Sequence, residues 1–217
     1  MKKIQIYQLL ERFYGKLDLV KKLESLALKE ISKRKIKKSL DVGTGFGRFA
    51  NKLVKKGIKV HGIEIDKERI DYVSNLNKKS NLIVESKDAT KIDFKEEFDS
   101  AYCSSLCQIG KYKKVIKGVY RALKPDGFFF IDVYIENKDN KSKKDFKKVH
   151  KEITKNLSNE DKTQFDIALE KDTSTFNFIF KKSEEWEKIL ISAGFEIEKK
   201  IHYYPRHILL IVKKKKT

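Results

Sequence analysis

Apolar residues recur along this chain with two alternating periods. Residues 4–33 carry the helical one: Ile4, Tyr7, Leu10 and Tyr14 share a face, Gly15 interrupts it, and Val20, Leu23, Ala27 and Ile31 resume it. Two helices are predicted there. From Ser39 onward, short apolar runs of strand length appear at Ser39–Val42, Ile58–Ile65, Asn81–Glu85, Phe98–Cys103 and Phe128–Val133. Helical faces separate them. Phe49, Leu53 and Val54 follow the first run, with Gly57 as a C-terminal stop, and Ile70 and Val73 follow the second, with Asp66 placed to cap their helix. Val115, Val119 and Leu123 precede the fifth run, and Lys124-Pro125-Asp126-Gly127 forms the break.

Strand–helix alternation predicts a parallel sheet with helices on both faces. The end of the chain departs from that rhythm. Trp186, Ile189, Leu190 and Ala193 make a last helix ending at Gly194, and then Phe195–Ile201 and Arg206–Val212 are strands with no room for a helix between them. Such a pair must be antiparallel neighbours. The expected fold is therefore α/β in three layers, a seven-stranded mostly parallel sheet ending in an antiparallel hairpin.

Composition narrows the picture. With 217 residues, 40% of them hydrophobic, the chain fits one domain with its own core. Its two cysteines, Cys103 and Cys107, share one local run, which is no disulfide framework and a poor ligand set for a metal. With no secretory signal read at its start, they point to a reducing, cytoplasmic setting. Apolar runs such as Gly127–Val133 and His207–Val212 are far below membrane-spanning length. The formal charge of +19 invites a nucleic-acid partner, but residues 1–38, 39–135 and 136–217 contribute +8, +5 and +6, and lysines outnumber arginines 44 to 6. Arginine supplies the forked contacts that specific phosphate and base recognition favours. A solvated, lysine-biased surface is the expectation, with a dedicated nucleic-acid patch as the competing one; lysine alone still gives salt-sensitive, non-specific binding.

The chemistry concentrates after the first strand. Leu40-Asp41-Val42-Gly43-Thr44-Gly45-Phe46-Gly47 puts glycines where the backbone must turn sharply and approach a ligand, and the helix beginning at Gly47 aims free N–H groups at that place. Alone, such a loop also fits a tight strand-to-helix turn. The G-x-G-x-G spacing differs from the G-x-G-x-x-G of dinucleotide binders. The second strand ends in Gly62-Ile63-Glu64-Ile65-Asp66, where a carboxylate about twenty residues past the glycines can accept both hydroxyls of a ribose. Lys87-Asp88-Ala89 follows the third strand, where an acceptor can meet an adenine amino group.

In these stretches the chain resembles the class I S-adenosylmethionine-dependent methyltransferases of the small single-domain type. Ser39–Gly47, Gly62–Asp66, Lys87–Ala89 and Phe98–Ser104 are similar to that family's first four motifs, Arg121–Asp132 to the stretch entering the fifth strand, and Ser192–Phe195 to the turn before the sixth. The likeness covers about residues 37–135 and 183–213. It implies a Rossmann-like fold with S-adenosyl-L-methionine as cofactor. Gly43, Thr44, Gly45 and Gly47, with Asp41 beneath them, would hold the methionine portion, Glu64 the ribose beside Ile65, and Asp88 and Ala89 the adenine, while Cys103 would lie beside the methionine moiety. The family often has Cys or Ser at the position of Thr44 and Gly at that of Asp126.

On this reading residues 1–36 are N-terminal helices, 37–135 the cofactor-binding core, 136–182 a substrate-lid insertion and 183–213 the last helix and strand hairpin. In the insertion Phe146, Val149, Ile153 and Leu157 share one helical face, and Phe165, Ala168 and Leu169 suggest a second helix. Tyr14, Tyr134, His150, His202 and Tyr203 are the site-grade groups outside the cofactor motifs, with Tyr14 and Tyr134 the substrate candidates; each has an ordinary core or surface residue as its alternative. Tyr134 follows the fifth strand at the edge where ligands bind. No adjacent proline pair and no Pro-Cys dipeptide occur, so the motif of exocyclic-amine methylators and the covalent cysteine route to 5-methylcytosine are both missing. Direct in-line transfer to a small-molecule acceptor is the leading expectation, and an RNA- or protein-modifying methyltransferase the alternative. A non-catalytic protein retaining the fold is a third possibility. No catalytic base and no oligomeric state are legible.

Overall fold

The computed structural model describes residues 1–76, 81–104, 106–136, 141–174 and 179–216. Its centre is one sheet of β1 (Lys38–Val42), β2 (Lys59–Glu64), β3 (Leu82–Ser86), β4 (Phe98–Cys103), β5 (Leu123–Tyr134), β6 (Phe195–Tyr204) and β7 (His207–Lys214), in the order β3-β2-β1-β4-β5-β7-β6. The first five strands are mutually parallel, and β7 runs antiparallel to both β5 and β6. From β1 the chain winds outward to β3, then returns to the other side of β1 to make β4. That reversal puts a crevice at the carboxyl ends of β1 and β4, where open α/β sheets bind ligands.

Sequence pattern accounts for strand position. Ile208 to Val212 are all fully buried, as befits a strand covered on both faces. On β6 the exposed Glu196, Glu198, Lys199 and Lys200 mark the edge strand, where charge discourages further pairing. β5 is longer than its apolar run, because Leu123 already pairs with Phe98 and the Lys-Pro-Asp-Gly turn is a bulge before pairing resumes at Ser100–Phe128. Asp126 takes φ 63° in that bulge.

The helices are α1 (Lys3–Lys16), α2 (Asp18–Ile31), α3 (Arg48–Val54), α4 (Lys67–Leu76), α5 (Tyr112–Ala122), α6 (Lys141–Thr154), α7 (Asn159–Ser174) and α8 (Ser183–Ser192). On one face of the sheet α5 and α8 bury Val115, Val119, Trp186 and Leu190 against Ala101, Phe129 and Ile131. On the other, α2 and α3 bury Leu23, Ala27, Ile31, Phe49 and Leu53 with Tyr102, Phe130 and Ile211. The predicted faces of α6 and α7 are buried at Val149, Ile153, Phe165 and Leu169. They pack on α1, where Phe13 meets Phe146 edge-on at 4.8 Å and Phe165 at 6.1 Å.

Two local expectations shift. Gly15 does not break the first helix, which runs through it to Lys16, and the extended residue Leu17 makes the break instead. The face of α1 is also rotated, with Phe13 fully buried and Ile4 exposed. Packing against α6 and α7 overrides the glycine's poor helix propensity.

Candidate active site

The loop after β1 is clamped to the end of β2. Gly43 and Thr44 N–H groups both donate to the Ile63 carbonyl, at 2.9 and 3.0 Å. Thr44 Oγ1 donates at 2.7 Å to Asp41, a buried carboxyl at the end of β1. Burial pushes Asp41 up to about 7, against the opposing pull of the Thr44 hydroxyl. Gly47 precedes α3 with φ 72°, and a Cβ there would lie 2.8 Å from Val73 Cγ1 on α4. Both the backbone angle and the space require glycine. A Cβ on Gly43 or Gly45 would meet nothing within 4 Å, so the loop leaves an open cradle on its cavity side.

Glu64 closes the cradle from β2. Its Oε2 accepts from Gly45 N–H at 2.9 Å, and its Oε1 accepts from Ile65 N–H at 2.8 Å and Asp66 N–H at 3.0 Å. The carboxylate thus ties loop to strand and keeps lone pairs for a ligand. Asp66 caps α4 through Glu68 N–H at 2.9 Å, as its position predicted. Ile65 is 71% exposed beside it. After β3, Asp88 accepts from Thr90 N–H at 2.8 Å, which holds its carboxyl below the usual range, and Ala89 starts a short 3-10 turn. Cys103 is fully buried at the end of β4. The Cys107 side chain lies outside the described residues.

All ten residues predicted for the cofactor, except Gly47, line one cavity of about 1290 Å³. Gly47 sits behind the loop and shapes it. Beneath α1 and α7 the cavity extends to the ends of β5 and β7. Tyr14 lines its roof, and both its hydroxyl and the Arg69 guanidinium donate to Asp172 on α7. Burial pushes Tyr14 up to about 12. Arg69 also lies over the Phe46 ring at 5.1 Å, so α1, α4, α7 and the glycine loop are joined at one point. Tyr134 lines the far end, with its hydroxyl 3.4 Å from Gln108 Nε2 and its ring edge-on to His207 at 4.4 Å.

Asp132 and His207 were missed by sequence reasoning. Asp132 is buried on β5, with Oδ2 3.2 Å from His207 Nδ1 and Oδ1 accepting from Tyr203 O–H at 2.7 Å. Burial raises its pKa although both partners oppose the shift. Each is the polar residue of an otherwise apolar run, which was the available signal. His150 instead faces Asp166 at 2.6 Å across α6 and α7, and His202 is exposed, both away from the cavity. Among the described residues, no group of three or more His, Cys, Asp or Glu is placed to hold a metal ion, and no helix is long and apolar enough to cross a membrane.

A sheet of this order, with a glycine cradle after β1 and a carboxylate after β2, has the layout of α/β domains that bind ligands in this crevice. Comparison with known proteins narrows the class. Residues 40–131 match the family described as Methyltransferase domain. The chain is 30% identical over 103 residues to the ubiquinone biosynthesis O-methyltransferase of Actinobacillus pleuropneumoniae, covering 43% of this chain and 44% of that one. It is 35% identical over 77 residues to the "Probable ribosomal RNA small subunit methyltransferase A" of Pyrococcus furiosus, covering 34% and 28%. The structure of the Burkholderia thailandensis 1,6-didemethyltoxoflavin-N1-methyltransferase, with 1,6-didemethyltoxoflavin and S-adenosylhomocysteine bound, superposes with a TM-score of 0.64 at 13% identity, covering 98% and 88%. The chain spans 28% to 46% of the length of the curated relatives it matches. Residues 40–131 thus match a methyltransferase domain, and the fold of the chain is that of S-adenosylmethionine-dependent methyltransferases of known structure.

Proposed function

We propose that the protein is a methyltransferase that moves the methyl group of S-adenosylmethionine directly to a small-molecule acceptor. One observation carries the reading: the cofactor cradle and the Tyr134 end belong to the same roofed cavity. Single ligand sites occupy about 300–1,000 Å³, and about 1290 Å³ leaves room for a second small molecule beside the cofactor. The cradle also fits the group. Gly43 and Gly45 leave it open, and Glu64 offers a fixed acceptor.

Gly43, Thr44, Gly45 and Gly47 with Asp41 would hold the methionine portion, Glu64 and Ile65 the ribose side, Asp88 and Ala89 the adenine, and Cys103 the wall beside the sulfur. When bound, the cofactor supplies a methyl already activated on a sulfonium. The protein's task is to align the acceptor with that methyl and to exclude water. The described residues of 1–36 and 136–182 serve as the roof, those of 37–135 as the cofactor core and 183–213 as the far wall. Where the acceptor atom bears a proton, His207 is the group placed to take it, since Asp132 holds Nδ1 and leaves Nε2 for the ligand. Cysteine usage favours a cytoplasmic setting.

A second reading, modification of RNA or protein, draws support from the +19 charge and from the ribosomal RNA methyltransferase among the relatives. One experiment separates the two. Cell extract is divided into a fraction below 1 kDa and a macromolecular fraction, and each is incubated with the protein and methyl-labelled S-adenosylmethionine. Label is expected in the small-molecule fraction. Label confined to RNA or protein would replace the first reading by the second, and calorimetry showing binding of NAD instead of S-adenosylhomocysteine would overturn both.

A further inference from the structure

Arg206 stands apart from four other basic residues of the cavity wall. Lys3 pairs with Glu68, Arg48 with Glu24, Arg69 with Asp172, and Lys87 with Asp93. Among the described residues no carboxylate makes an ion pair with Arg206, and its Nε is buried with no hydrogen-bond partner. The nearby Asp132 carboxylate is already engaged by His207 and Tyr203. A buried guanidinium N–H without an acceptor carries an uncompensated desolvation cost, and because the half-buried Arg206 lines the cavity, a small turn of its side chain would let an anion take two parallel hydrogen bonds from it.

The position of Arg206 is held by the fold. It lies in the turn from β6 to β7, where its carbonyl accepts from Ile135 N–H at 2.9 Å, and its guanidinium lies over the Phe180 ring at 5.3 Å. The next residue is His207, which pairs in register with Tyr134 across β5 and β7. β5 and β7 are two and three strands from β1, so this end of the cavity is about 10–15 Å from the glycine loop. That is the span of the cofactor's methionine portion with a small acceptor placed end to end. The net charge of +19 adds a long-range attraction for anions.

We infer that the β5–β7 end of the cavity binds an anionic group of the methyl acceptor, a carboxylate or phosphate held by Arg206 beside Tyr134 and His207. The acceptor is then a small acid or phosphate ester, with the methylated atom at the end away from its charge. Naming the ligand as the acceptor rests on the methyltransferase reading; the anion site itself does not.

The test follows the Arg206 Nε–H resonance by NMR, assigned by its loss in Arg206→Gln. Protein loaded with S-adenosylhomocysteine is titrated with inorganic phosphate, with 4-hydroxybenzoate and with its neutral analogue 4-hydroxybenzamide. At least one anion is expected to move the resonance saturably while the amide leaves it in place. Arg206→Gln should weaken that anion at least tenfold, with S-adenosylhomocysteine affinity unchanged within twofold. The anion that saturates identifies the carboxylate or the phosphate class. An unmoved resonance at millimolar concentrations of both anions, or equal anion affinity in Arg206→Gln, would overturn the inference. If that variant does not fold, Arg206→Lys, which also lacks an Nε–H, assigns the resonance, and the wild-type titration then decides. If S-adenosylhomocysteine does not bind, the methyltransferase reading fails, and the same titrations on the free protein still judge the anion site.

Discussion

Replacing Glu64 by alanine separates a proposed job of this carboxylate from one that the structure shows. The proposed job is contact with the cofactor's ribose hydroxyls. Hydrogen bonds to a charged group contribute about 1.5–3 kcal/mol, so losing the contact should cost about 2–3 kcal/mol of binding, or roughly 30- to 140-fold in affinity. The second job is internal, because Gly45, Ile65 and Asp66 N–H groups all end on this side chain. Removing it frees Gly45 from the end of β2, while Gly43 and Thr44 remain bonded to Ile63. The loop should loosen without unfolding, at a stability cost of about 1–2 kcal/mol.

Calorimetry with S-adenosylhomocysteine and a thermal melt of the free protein measure the two effects independently. Glu64→Gln sharpens the distinction. Its amide keeps one carbonyl oxygen for Ile65 and Asp66 but sets its NH2 against the Gly45 N–H, so it should lose cofactor affinity while melting between Glu64→Ala and wild type. Wild-type affinity in a folded Glu64→Ala protein would mean that the carboxylate serves only the loop. The assignment of Glu64 to the ribose would then be wrong.

Three further outcomes are expected. Burial holds Asp41 near 7, so it is ionised above that pH and protonated below it; the cationic amino group of the methionine portion prefers the ionised form, so S-adenosylhomocysteine affinity should fall by up to about tenfold per unit below pH 7. Asp41→Asn should flatten that profile, and an unchanged slope in calorimetry would remove Asp41 from the site. Gly47→Ala forces a left-handed residue, costing about 1–2 kcal/mol, and drives its Cβ against Val73, so the melting temperature should drop by about 5–10 °C; an unchanged melt would contradict the loop geometry. Reversing Lys143, Lys147 and Lys151 to Glu, all exposed on α6, should leave transfer to a small acceptor unaffected. Loss of transfer to cellular RNA in that variant, with cofactor affinity intact, would favour the second reading.

The apolar runs were enough to read seven strands and the closing hairpin, because each run is bounded by glycine, proline or charge. They did not reveal that β7, not β6, pairs with β5. The cue lay in burial: Ile208–Val212 is apolar at every position and fits an interior strand, whereas Glu196–Lys200 carries edge charge. In the glycine loop, local spacing set the geometry, so the meeting of Glu64 with the glycines was legible in the sequence. Asp132 and His207 lie 75 residues apart and meet only through strand order, so neither predicted the other. The same holds for Asp172, which joins Tyr14 and Arg69 only once α7 has packed on α1.

Charge illustrates why composition alone misdirects here. An excess of +19 suggests a basic binding face, yet α6 turns Lys143, Lys144, Lys147 and Lys148 outward while Val149 and Ile153 go into the core. That opposition belongs to any amphipathic helix in water. On the cavity wall, Lys3, Arg48, Arg69 and Lys87 are neutralised by partners within the chain. A charge already paired offers a ligand little, because binding must first break the pair. Arg206 contributes one charge among 50 basic residues, but it is held in place, stacked on Phe180 and left with a buried donor unmet. Recognition depends on that local imbalance, and the chemistry of the acceptor should be sought in what satisfies it.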